Sequence, residues 1–190
     1  PAIGEITAAD GKITVPFTMV IGYDGADSVS VDMKNAAGTV VATENYAKDA
    51  AEGVVTFTPA ASGDYTFTIT AARKDEADKT GTDKEFKGFE LPLAKPSFQS
   101  ATSQGGGKVS LVWDEVTEAS SYEVSYSENG TDFTQPVSVT GTEYVVSGLT
   151  VGKEYTFKLT AVRVLPAAVS EAATITAKAT AEAQQVWAFS

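Results

Sequence analysis

Carboxylates are the only clustered side chains in this sequence with the potential to bind an ion. An acidic loop spans residues 74–85, with its carboxylates concentrated from Asp75 to Asp83, and Asp24 and Asp27 precede it. Calcium takes about six to eight oxygen ligands, and a cluster of this kind can supply several of them. The spacing does not match the EF-hand pattern, and lysines are interspersed among the acids. The sequence favours a solvated hairpin and leaves calcium binding as the alternative.

The groups that most hydrolytic enzymes use are absent. The 190 residues include no cysteine and no histidine, which removes thiol nucleophiles, thiolate zinc sites and the imidazole of serine and cysteine triads. Asp114 and Glu115 are adjacent carboxylates, but neighbouring residues of a strand point to opposite faces, so they do not flank one glycosidic bond. We therefore assign no catalytic, cofactor-binding or metal-binding residue and predict that the chain is not an enzyme.

Two short segments allow both a functional and a structural interpretation. Asn129-Gly130-Thr131 satisfies the N-glycosylation sequon, but Asn-Gly also suits a two-residue type I′ hairpin turn because both residues tolerate positive φ. The structural interpretation is favoured. The loop over residues 164–169 is unusually apolar for a turn. We expect it to pack against the preceding domain, with a partner contact as the alternative.

The charge balance argues against two classes of partner. The sequence has 25 acidic and 14 basic residues, a formal net charge of -11. Nucleic-acid affinity rests on neutralising phosphates with Lys and Arg, so nucleic acid is a poor partner. Anionic membranes are disfavoured for the same reason, and no apolar run reaches the roughly 20 residues of a spanning helix. We predict no nucleic-acid partner and no membrane insertion.

An internal repeat shows which elements position these residues. Residues 65–73 recur as residues 155–163, at an offset of 90 residues, with apolar side chains at alternate positions in both copies. That period is typical of a strand with one buried face. Turn signals such as Asn35 to Gly38 separate further segments with the same alternation: Ile13, Val15 and Phe17; Val29, Val31 and Met33; Val109, Leu111 and Trp113; Tyr122, Val124 and Tyr126. The sequence predicts an all-β protein with two tandem antiparallel β-sandwiches.

The predicted domains follow from length and from proline placement. Two sandwiches of roughly 95 residues fit the chain, and Pro92 and Pro96 flank a short connector near the boundary. We predict domains over 1–93 and 94–181, and a tail over 182–190 that begins a further module. Trp187 and Phe189 in that tail show strand alternation without a visible partner strand, and the alternative is that the tail folds back onto the second sandwich. Alanine-rich stretches at 47–51 and 177–183 are candidates for a helical turn.

Residues 95–181 resemble a fibronectin type III domain. The alternation at 109–113 is similar to that family's B strand with its core tryptophan, and 122–126 is similar to its C strand. Residues 149–155 resemble the corner between strands E and F, although Val151 replaces the usual proline. The resemblance implies that the tryptophan lies in the core and that the corner tyrosine buries its ring while its hydroxyl bonds a nearby backbone group.

Residues 1–93 resemble an immunoglobulin-like domain. Residues 61–67 are similar to that fold's tyrosine corner, with Phe67 at the position of a disulfide cysteine. This copy lacks the tryptophan of strand C. The resemblance therefore implies a core built on other large side chains, for which we predict Phe17, Val31, Met33, Phe57 and Phe67.

The two resemblances together imply a biological setting. Such modules without cysteine are frequent in secreted bacterial proteins, as non-catalytic parts of polysaccharide-degrading enzymes and of surface adhesins. The expected function is a spacer or accessory segment that holds a downstream, carbohydrate-active domain away from the cell surface. The alternative is an adhesion module that binds a polysaccharide or a surface protein through its loops, an open sheet face or an edge strand. Both place the chain outside the cell or at its surface.

Overall fold

The computed structural model describes residues 1–19, 26–46, 51–74 and 76–183. These residues form strands joined by turns and loops, and they include no helix that is long and apolar enough to cross a membrane. The chain divides into two compact units, Pro1–Leu91 and Pro92–Ser190. Each unit consists of two antiparallel sheets, which confirms the predicted class of tandem β-sandwiches.

The first unit pairs its strands into two sheets. Its strands are β1 (Ala2–Ile3), β2 (Thr7–Ala9), β3 (Lys12–Thr18), β4 (Ser28–Lys34), β5 (Val40–Tyr46), β6 (Glu52–Phe57), β7 (Gly63–Ala72), β8 (Lys79–Thr80) and β9 (Lys84–Phe89). One sheet has β3 at its centre, with β6 on one side and the short β1 and β2 also paired with β3. The other sheet has the order β5-β4-β7, and β8 and β9 both pair with β7.

The second unit repeats this arrangement. Its strands are β10 (Phe98–Gly105), β11 (Lys108–Trp113), β12 (Ser121–Ser127), β13 (Val137–Val139), β14 (Glu143–Val146), β15 (Glu154–Arg163), β16 (Ala168–Val169), β17 (Ala173–Lys178) and β18 (Glu182–Ala183). One sheet has the order β14-β11-β10-β18, and the other has β13-β12-β15, with β16 and β17 both paired with β15.

The strand order bears on the subtype of the first unit. A constant-type immunoglobulin domain places the strand after C in the sheet of A, B and E. In the first unit the corresponding strand, β5, instead joins the sheet of β4 and β7, as β13 joins β12 and β15 in the second unit. The two units therefore share one strand order, although the sequence suggests different subtypes for them.

The predicted alternation produces a separate core in each unit. All five residues predicted for the first core are 2% exposed or less. In the second unit, Trp113 and Tyr155 are 1% and 2% exposed, as predicted, and Tyr126 is half-buried against the same core. The repeated segments form β7 and β15, whose alternate apolar residues face these cores. Side chains at every second position are buried because the pleat of a strand directs them to one face.

The predicted two-residue turn at Asn129 and Gly130 is wrong. β12 ends at Ser127 and β13 begins at Val137, so residues 128–136 form a longer loop. Of the two turn residues only Gly130 has positive φ, at 77°. The Ser127 hydroxyl accepts hydrogen bonds from the backbone N–H groups of Asn129 and Gly130, at 3.2 and 3.0 Å. Such side-chain acceptors compete with strand pairing and stabilise a loop instead.

The alanine-rich stretch at residues 177–183, a candidate for a helical turn, forms strands in part. Ala177 pairs with Tyr155 as part of β17, and Ala183 pairs with Gln104 as part of β18. Sheet pairing overrides the high helix propensity of alanine here, as tertiary context commonly does. Of the other alanine-rich stretch, residues 47–50 lie outside the described residues, as do the tail residues Trp187 and Phe189.

Candidate functional site

Two carboxylates of the predicted acidic cluster have partners within the protein. Asp27 accepts a hydrogen bond from the backbone N–H of Lys74 at 2.5 Å, and Asp83 lies 3.6 Å from the ammonium of Lys34. Across the described ranges, no group of three or more acidic residues is placed to hold a metal ion. Two of the predicted candidates, Asp24 and Asp75, lie outside the described residues.

The adjacent carboxylates Asp114 and Glu115 follow the end of β11 and are both exposed. Asp114 accepts a hydrogen bond from the side-chain amide of Gln99 at 2.6 Å, and its backbone N–H donates to the carbonyl of Ser97 at 2.9 Å. These bonds tie the end of β11 to the start of β10. From the sequence both residues are expected within a strand, whereas the structure places them just beyond β11.

The amide of Asn129 is engaged within its own loop. Its Oδ1 accepts hydrogen bonds from the backbone N–H groups of Thr131 and Asp132, at 3.0 and 2.9 Å. Its Nδ2 donates to the carboxylate of Asp132 at 2.7 Å. Asparagine commonly organises a turn in this way. The nitrogen that a glycan would modify is thus a structural donor in this loop.

A tyrosine stabilises a corner in each unit. Tyr65 donates a hydrogen bond from its hydroxyl to the carbonyl of Ala61 at 2.7 Å. The hydroxyl of Tyr155 accepts one from the backbone N–H of Thr150 at 3.0 Å and donates one to Glu128 at 3.0 Å. The predicted bond between the Tyr155 hydroxyl and nearby backbone is therefore confirmed, and the carboxylate partner is an addition that the sequence did not indicate.

Glu128 connects the loop after β12 to the corner before β15. Its other oxygen lies 2.6 Å from the ammonium of Lys153. The hydrogen bond from Lys153, followed by that from Tyr155, lowers the pKa of the Glu128 carboxyl. The hydrogen bond to Glu128 and the negative charge of its carboxylate raise the pKa of the Lys153 ammonium. Both shifts favour the charged forms at neutral pH. A general acid or base needs a pKa near the working pH, so this cluster is suited to holding the corner and not to proton transfer.

A second, more buried ion pair holds the apolar loop over residues 164–169. Arg163 and Glu118 approach to 2.5 Å, with side chains 5% and 19% exposed. The Nε of Arg163 also donates to the carbonyl of Pro166 at 2.8 Å. Beyond this support, Leu165 is 85% exposed and Val169 is 65% exposed. The expectation that this loop packs on the preceding domain concerns the arrangement of the two units and stays a prediction.

A groove lies beside Tyr46 in the first unit. It measures about 460 Å³ and is bordered by the ends of β3, β5 and β6. The Tyr46 ring meets Phe17 edge-on, with centroids 5.1 Å apart, and passes close over Gly53. An added Cβ at Gly53 would lie 2.6 Å from Tyr46 Cζ. The absence of a side chain at Gly53 therefore leaves room for the Tyr46 ring to pack at the rim of the first sandwich.

The sheet edges remain as surfaces that a partner can reach. β5 pairs only with β4 among the described strands, and Val40 and Val41 on it are 47% and 49% exposed. In the second unit, the edge strands β13 and β14 have three and four residues and β17 has six. β10 has eight residues, and β18 pairs with only the last two of them.

Comparison with known proteins shows what the chain is similar to. No curated protein matches the chain. A solved two-domain fibronectin type III segment from chicken tenascin is 17% identical, with a TM-score of 0.56 over 93% of this chain and 98% of that one. The FN1–FN3 domains of chicken CNTN1 are 13% identical, with a TM-score of 0.41 over 95% of this chain and 67% of that one. The tenascin likeness supports the fold. Residues 94–173 match the family model of the fibronectin type III domain, so the second unit is similar to that family over this range.

Proposed function

We propose that the chain is a non-catalytic spacer or accessory segment of a larger extracellular or cell-surface protein. In this proposal it holds a neighbouring domain at a distance, and the neighbour we favour is a polysaccharide-degrading domain of a secreted bacterial protein. The similarity of the second unit to the fibronectin type III family supports the coarser part of the proposal. Fibronectin type III domains are generally structural or binding modules and typically occur in extracellular or surface proteins.

The observation that carries the proposal is the presence of two self-contained cores. Each unit buries its own set of apolar residues, and its strands pair in antiparallel ladders along both sheets. Extending such a unit requires breaking its ladders and exposing its core together, so each unit resists extension as one cooperative block. The pKa shifts resolved among the described groups, at Glu128 and Lys153, both favour the charged state, which gives no support to acid–base catalysis.

Stretching single molecules between two attached handles tests the spacer function. We expect two separate unfolding events, each releasing about 300 Å of chain, since an extended residue spans roughly 3.3–3.6 Å. A chain that extends smoothly at low force, without discrete events, would contradict the proposal. Hydrolysis of a polysaccharide by the purified chain would contradict its non-catalytic character.

The second candidate function is a binding module for a glycan or a protein. The exposed edge of β5 and the exposed Leu165 favour it, because both offer surface that the fold itself does not use. A glycan array distinguishes glycan binding from protein binding. Specific retention of one glycan class would support glycan binding, whereas an array without signal would argue against it and leave the protein edge to be tested directly.

A further inference from the structure

β5 is an edge strand, because among the described strands it pairs with β4 alone. It is seven residues long and contains no proline, glycine, lysine or arginine, and Glu44 is its one charged residue. Proteins usually protect edge strands by shortness, by charge, by proline or by bulges. Several other edges show such features along their length: β13 and β14 are short, β9 has two lysines and β10 has two register shifts. β5 has a register shift as well, but it is confined to the start of the strand.

The straight part of this edge runs from Ala42 to Tyr46. These residues pair in register with β4, from Met33 opposite Ala42 to Val29 opposite Tyr46. The register shifts next to Ala42, so Val41 is the additional residue of a bulge. In an antiparallel pair, residues alternate between bonding the neighbouring strand and directing N–H and C=O groups away from it. Among the described strands none pairs with the outer side of Ala42–Tyr46, so the backbone groups directed to that side have no strand partner there.

The charges around this edge select the chemistry of a partner. Glu44 lies opposite Val31, which faces the core, so its carboxylate is on the core side at the rim of the sheet. On the opposite face, the Thr43 hydroxyl donates to Asp32 at 2.6 Å. Both faces of the edge thus carry an acidic group, in a chain whose net charge is -11. Opposite charges on paired strands are favourable and like charges are unfavourable, so a second copy of this acidic chain is a poor occupant.

We propose that the outer edge of β5, from Ala42 to Tyr46, binds an extended basic polypeptide segment by strand addition, with a Lys or Arg of that segment beside Glu44. Backbone hydrogen bonds hold the added strand, and the charge pair selects it. This interaction goes beyond the spacer function, and its failure leaves that function untouched.

Two synthetic heptapeptides test the charge selection. Both alternate Thr and Val around a central residue, which is Lys in one peptide and Glu in the other, and both are titrated against the full chain at low and high salt. We expect the Lys peptide to bind about five- to tenfold more tightly, because a cross-strand charge pair contributes up to about 1 kcal/mol and a like pair opposes it. In Glu44→Lys the preference reverses. The matched variant Glu143→Lys, on the short edge strand β14, retains the original preference.

Backbone methylation of the Lys peptide tests the strand geometry. Two methylated peptides are made, one with methyl groups on the odd-numbered backbone nitrogens and one on the even-numbered ones. One of these series should lose binding and the other should keep it, because only the N–H groups along one edge of an added strand donate to β5. Amide hydrogen exchange should slow within Ala42–Tyr46. The proposal is overturned if neither peptide binds, if both methylated series bind, or if Glu143→Lys has the effect of Glu44→Lys. Self-association that the Glu44→Lys substitution alters would assign the edge to a second copy instead.

Discussion

Replacement of Trp113 by alanine should destabilise the second unit selectively. The side chain is 1% exposed and lies between Phe98 and Tyr122, with ring centroids 6.4 and 5.4 Å away. Removing a large buried aromatic residue loses its transfer free energy and leaves a cavity, at a cost of about 3–5 kcal/mol. For a domain of this size, about 1 kcal/mol corresponds to a shift of roughly 4–8 °C. We therefore expect the second unit to lose at least about 12 °C in Tm.

Differential scanning calorimetry of the intact chain is the appropriate assay. Because the two cores are separate, we expect the transition of the first unit to keep its temperature while that of the second falls. Trp113→Phe is the matched control. The indole Nε1 is buried without a hydrogen-bond partner in the described structure, so phenylalanine loses ring volume but no hydrogen bond. Its cost should be well below that of alanine.

Two results would refute this reasoning. A loss below about 1 kcal/mol in Trp113→Ala would mean that the indole does not fill the centre of the second core. A phenylalanine variant as unstable as the alanine variant would mean that Nε1 makes a bond that matters. Near-ultraviolet circular dichroism of Trp113→Phe gives an independent check that the remaining core stays packed.

Two further predictions concern local features. Gly53→Ala should destabilise the first unit by about 1–3 kcal/mol in urea unfolding, because the new Cβ overlaps the Tyr46 ring. Gly141→Ala is the control, and it should be close to neutral because a Cβ added there has no atom within 4 Å. The ion pair of Glu128 and Lys153 should stabilise the second unit within a window of pH. Because the pKa of the Glu128 carboxyl is lowered, its stabilisation is lost as pH falls through that pKa. Because the pKa of the Lys153 ammonium is raised, its stabilisation is lost as pH rises through that pKa. NMR titration of both side chains measures the shifts, Glu128→Gln should remove the acid limb, and a carboxyl that titrates at its ordinary pKa would contradict the assignment.

The sequence by itself determined the class of the fold and the composition of its cores. Alternation such as that of Val109, Leu111 and Trp113 is a local property, because the pleat of each strand sends every second side chain to one face. The same logic located the tyrosine corner, since the Tyr155 hydroxyl and its backbone partner at Thr150 are five residues apart. Interactions over such short separations can be predicted from residue type and spacing.

The tertiary structure decided the features that depend on residues distant in the chain. Glu118 and Arg163 are 45 residues apart, and only the placement of the loop between β11 and β12 beside the end of β15 brings them together. The loop at Asn129 took its shape from side-chain acceptors and not from a hairpin ladder. The exposed edge of β5 likewise became visible only with the strand order, because alternation shows which face of a strand is buried but not which neighbour its backbone bonds.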